Sequence, residues 1–123
     1  MKILYISSKI ESYCTSVKAA TKLFGGNKDL AVKLHSCINA IESAEIIKDI
    51  IVQPRYRFHK LSNKDGRNLE GFFAIDVKSR KEPWRIILQP LDENEEPYVP
   101  CNIDEISGTV RIVKITEVSK HYE

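Results

Sequence analysis

Apolar positions recur along this chain with two periods, and the change of period falls near Pro54. Before it, Leu30, Leu34, Cys37/Ile38 and Ile41 follow the three-and-four spacing of a helix with one buried face. Val17, Ala20 and Phe24 carry the same spacing one segment earlier, with Ser12, Thr15 and Ser16 as N-cap candidates and Gly25-Gly26 as a left-handed stop. The second helix starts near Asn27 or Asp29, and the two together predict an α-hairpin. Residues 46–52 continue the second helix or form a short one of their own, and Pro54 limits how far they run. A short strand over residues 2–7 precedes all of this.

After Pro54 the pattern becomes strand-like. Residues 55–61 read as a strand, 62–69 as a turn-rich loop, and 71–77 as a strand with Phe73, Ile75 and Val77 on one face. A polar connection at 78–83 leads to a strand over 84–88. Residues 92–108 hold Pro97, Pro100 and Gly108 with little periodicity, which predicts a long loop with one helical turn around 102–106. Residues 109–118 are apolar on both faces, as in a central strand covered on each side or by a partner. Helices first and a strand meander after predict one α+β domain over residues 1–123, an amino-terminal helical hairpin packed on a small, mainly antiparallel sheet.

Composition changes this picture in its electrostatics. The balance of 42% hydrophobic and 29% charged residues is globular, and the net charge of +2 is small. Its distribution is uneven: residues 55–90 hold nine Lys/Arg against four acids, whereas 91–110 hold six acids and no Lys/Arg. The basic stretch also holds Tyr56, Phe58, Phe72, Phe73 and Trp84, a mixture that suits contact with nucleic acid. Cys14, Cys37 and Cys101 are scattered without a CxxC spacing, so they read as core or incidental thiols, and no metal site or other cofactor is expected. Ile3-Leu4-Tyr5-Ile6 is too short for a signal-peptide core and no run approaches membrane-spanning length, so a cytoplasmic protein without a membrane partner is expected.

Antiparallel neighbours reverse direction, so pairing the strand at 84–88 with the one at 109–118 brings Arg85 toward His121. A guanidinium and an imidazole suit phosphate chemistry, the first through its planar fork and the second through a pKa near neutrality.

In this order, several stretches make the chain resemble the RelE/ParE toxin superfamily, and within it the HigB-like plasmid maintenance system killer group. They are Met1-Lys2-Ile3 with Ser7-Ser8-Lys9, Lys22-Leu23-Phe24-Gly25, Phe58-His59-Lys60-Leu61, Leu69-Glu70-Gly71 with Ile75-Asp76-Val77, Trp84-Arg85-Ile86, and Ile103-Asp104 with Ile106 and Val110-Arg111-Ile112. The resemblance implies a RelE-like fold and a toxin of a type II toxin-antitoxin system that cleaves messenger RNA on the ribosome. Its implied partners are the ribosome, messenger RNA and a helix-turn-helix (HigA-like) antitoxin. It implies His121, Arg85 and His59 as catalytic candidates, with Lys60, Lys64, Arg67, Lys120 and Tyr122 in contact with RNA; Trp84 reads as core. The group commonly ends Asp-Tyr-His, whereas Ser119-Lys120-His121 stands here. The alternatives are a non-enzymatic, ParE-like poison of DNA gyrase and a member that has lost catalysis.

Overall fold

Capping side chains decide where the helices begin in the computed structural model, which describes residues 1–122. Strand β1 (Lys2–Tyr5) leads to Ser7, whose hydroxyl accepts the N–H of Ile10 and starts α1 (Ser8–Thr15). Ser16 is extended, at φ −120° and ψ 118°, and its hydroxyl accepts the N–H of Ala19, so the chain breaks there and restarts as α2 (Val17–Leu23). Gly25 and Gly26 follow at φ 64° and 95°, a left-handed pair that reverses the chain without a Cβ penalty. The Asn27 side chain then accepts from Leu30 and opens α3 (Lys28–Ser43), which buries the expected stripe. Sequence periodicity had marked two helices here; α1 is a third, short and mostly exposed, with Cys14 its one buried residue. Residues 48–51 form a separate helix, α4 (Lys48–Ile51).

The strand expected over residues 55–61 shrinks to two residues. Pro54 starts a 3₁₀ turn (Pro54–Tyr56), and Arg57 follows in the left-handed region at φ 45° and ψ 51°, which leaves only β2 (His59–Lys60) to pair. Strand β3 (Phe73–Asp76) and the long β4 (Arg85–Leu91) form a hairpin; α5 (Ile103–Ile106) and β5 (Ile112–Ser119) complete the chain. β4 runs past the expected end at 88. Pro90 is tolerated because β3 begins at Phe73, opposite Leu88, so Pro90 lies beyond the β3–β4 ladder, where no β3 residue stands opposite it.

The sheet order is β1-β5-β4-β3-β2, with β1 parallel to β5 and every other pair antiparallel. The fold is therefore α+β with a mixed sheet, and β4 rather than β5 is central. Leu34, Ile38 and Ile41 of α3 close over Ile75, Ile86, Leu88, Val113 and Ile115 on one face of the sheet. On the other face, the 61–72 segment lays Leu61, Leu69 and Phe72 against Ala74, Ile87 and Tyr122. Along β5 the helices cover one face only; of the two expected coverings, one from the chain itself on each side is not found among the described residues. The mixed pattern of β5 has a local cause. Ile87 pairs with Glu117 while Leu88 pairs with Ile115, so Thr116 is an extra residue, a β-bulge. The bulge resets the alternation: Val113 and Ile115 before it and Val118 after it are buried with the helices, whereas Lys114, Glu117 and Ser119 take the other face. Among the described residues, no helix is long and apolar enough to cross a membrane.

At the end of β3, the Asp76 carboxylate is only 3% exposed. It accepts from Arg57 Nε at 3.0 Å and Arg57 Nη2 at 3.0 Å, and Arg85 Nε lies 3.2 Å away. Removing one partner of a buried ion pair strands the other charge, at about 3–5 kcal/mol. Asp76→Ala and Arg85→Ala should each lower the free energy of unfolding by about that amount in chemical denaturation; a loss under about 1 kcal/mol, the value of an exposed pair, would show that the pair is not a structural anchor.

The thiols give a second test. Burial pushes Cys14 from 9.0 up to about 12 and, as the largest of several influences, Cys37 from 9.0 up to about 11. The unfolded chain loses these protons first, so the stability they carry is fully present below pH 9 and is lost as pH rises toward 11 and 12. The denaturation midpoint should fall across that window, and Cys14→Val should make the fall smaller. At neutral pH neither thiol should react with an alkylating reagent in the folded protein.

Candidate active site

Beyond the bulge, β5 delivers Glu117 and Ser119 to the face opposite the helices and then His121 and Tyr122 just past its end. The facing wall comes from a tight turn. Asp65 and Gly66 both have positive φ, 52° and 75°, the pair that a type I′ hairpin turn needs, and they set Lys64 and Arg67 side by side with two backbone hydrogen bonds between them. Lys64 Nζ donates to the His121 carbonyl at 2.6 Å. Arg67 Nη1 donates to the Tyr122 hydroxyl, its guanidinium lies 5.6 Å from the Tyr122 ring centre, and its Nη2 is 4.0 Å from a Glu117 carboxylate oxygen. Seated also on Leu69 and Ile87, Tyr122 is the apolar pin of this clasp.

The clasp encloses a cleft of about 120 Å³ lined by Lys64, Asp65, Arg67, Glu117, Ser119, His121 and Tyr122. One imidazole, two carboxylates and two cations therefore line one cleft at the end of the sheet. The Tyr122 hydroxyl is held above its ordinary 10.0 by burial first and by the Glu117 carboxylate second, with Arg67 opposing. It is a neutral phenol at physiological pH.

The other residues singled out from sequence are distributed differently. Arg85 pairs in register with Ser119, two residues before His121, as strand pairing anticipated. Its side chain, however, is buried: besides Asp76, it donates to the carbonyls of Ser79, Arg80, Glu82 and Trp84, so its setting is that of an anchor inside the β3–β4 connection rather than of a group facing a ligand. His59 and Lys60 sit on β2, separated from β5 by both β3 and β4. His59 Nδ1 lies 2.6 Å from the Arg57 carbonyl, and its buried Nε2 has no hydrogen-bond partner among the described residues. Lys120 is exposed, with Nζ 6.0 Å from the Trp84 ring centre. Trp84 is half-buried and meets Phe24 edge to face at 4.8 Å.

No family model, curated protein or solved structure significantly matches the chain. The site stands on its own geometry.

Glu117 and Asp76 were not foreseen. Glu117 reaches the cleft only through the bulge, which no local pattern announces. Asp65-Gly66 between two cations did carry a signal, since Asp-Gly favours the turn that juxtaposes its flanks. In a spectrophotometric titration of the tyrosines, Glu117→Gln should move the Tyr122 phenol down and Arg67→Ala should move it up; equal curves for both variants and the parent would remove the cluster as an electrostatic unit.

Proposed function

We propose that this chain is a HigB-like toxin of the RelE/ParE kind, an endoribonuclease that cuts messenger RNA on the ribosome and is silenced by a helix-turn-helix antitoxin. The observation that carries the reading is the convergence of His121, Glu117, Lys64 and Arg67 in one open cleft. An α+β fold with its first helices packed on one face of a mainly antiparallel sheet supports it.

In this reading the Glu117 carboxylate takes the proton of the ribose 2′-hydroxyl, whose oxygen attacks the adjacent phosphorus. The bond from phosphorus to the 5′-oxygen breaks, and His121, protonated, supplies the proton that the leaving oxygen needs. The products are a 2′,3′-cyclic phosphate and a free 5′-hydroxyl. Arg67 and Lys64 face the charge that builds on the phosphoryl oxygens, the role first assigned to Arg85. Glu117 also supplies the acid that is missing where Ser119 stands. A small open cleft with two cations grips little of an RNA chain, so alignment of the 2′-oxygen with the phosphorus falls to the ribosome; such positioning is worth about 7–11 kcal/mol.

His121→Ala and Glu117→Gln should each lower message cleavage in a translating extract by about 10²-fold or more, while free RNA is cut slowly by the parent itself. Mapped RNA ends would carry the cyclic phosphate. Growth arrest by both variants without cleavage, together with inhibition of gyrase supercoiling, would transfer the assignment to the ParE-like reading.

A further inference from the structure

His121 stands on a ridge between two clefts, and only one of them has been used. The second, of about 340 Å³, shares Glu117, Ser119 and His121 with the first but opens toward the helices. Its apolar lining comes from Ile10, Tyr13, Leu23, Trp84 and Val118, and its cations are Lys9 and Lys120. We propose that this second cleft is a nucleobase subsite, which holds the base next to the scissile phosphate by stacking and so sets which RNA positions are cut; the proposal rests on the ribonuclease reading of the neighbouring cleft.

The aromatic residues are available, since Tyr13 and Trp84 both line the cleft and each is only half-buried. Trp84 is also held in place: the edge-to-face contact with Phe24, at 80° between rings, fixes the indole plane, so little side-chain freedom is lost when a base stacks on it. Lys120 already hovers over the indole at 6.0 Å, where it can neutralise the phosphate of a stacked nucleotide, and Lys9 lies exposed in the lining. A flat apolar wall edged by cations and joined to a phosphate cleft matches the two halves of a nucleotide. A neutral aliphatic ligand would leave the cations unused, and a free phosphate would leave the rings unused.

Trp84 is the single tryptophan of the chain, so its fluorescence reports on this cleft alone. The full chain should be titrated with a trinucleotide made non-cleavable by 2′-O-methylation, and with the same backbone lacking bases. The expected result is quenching by the first and not by the second. Tyr13→Ala should weaken the quenching ligand by about 10-fold and shift the base preference at mapped cut sites. Lys120→Glu, an exposed change that spares the core, should weaken it several-fold and make it less salt-dependent. Equal affinity for the base-bearing and baseless oligomers, or an unchanged affinity and cut-site preference in both variants, overturns the subsite even if messages are cleaved. Base-dependent quenching in a protein that cleaves nothing keeps the subsite and removes the nuclease reading.

Discussion

A carboxylate buried at the end of β3 sets the conditions for everything around it. Taking the Asp76 charge out of water costs several kcal/mol, and the cost is offset only if opposite charges arrive with it. Arg57 supplies one from the turn before β2, reached through a left-handed backbone, and Arg85 supplies the other from the start of β4. The remaining donors of Arg85 engage carbonyls of the intervening connection, so the path of residues 79–84 follows from the same interaction. Three strand ends are thereby aligned, and β5, paired through Ser119 to Arg85, inherits its position from them. The candidate site rests on this alignment without containing it.

The parts of the fold that were legible are those whose causes are local. The α3 stripe, the Ser16 and Asn27 caps and the glycine pair are written within a few residues of where they act, and so is the inward face of β3. What escaped depends on distance. Asp76 finds Arg57 nineteen residues away, and nothing near either one announces a buried pair. The parallel pairing of β1 with β5 joins the two ends of the described chain. β2 looked longer than it is because apolar residues such as Tyr56 serve a 3₁₀ turn as well as a strand.

The site divides along the same line. Lys64, Arg67, His121 and Tyr122 were named from sequence, and the structure does gather them. Arg85 was named beside them because strand pairing gives proximity, but pairing does not say whether a side chain faces the solvent or the carbonyls of its own loop. His59 and Lys60 were named through the resemblance of their segment, and the sheet order carries them to the opposite edge. Glu117, which completes the cleft, looks in sequence like one more charge on a strand.

The bulge at Thr116 divides β5 into two reading frames. Upstream, the alternation is dictated by what packs beneath the helices; downstream, the same alternation is displaced by one, and the cleft-lining Glu117 and Ser119 use the displaced phase. Substitutions along the upstream frame can therefore accumulate without moving the cleft. A change in length by a single residue cannot, because it would exchange Val118 and Glu117 between core and solvent in one step. The site is protected less by which residues precede it than by how many.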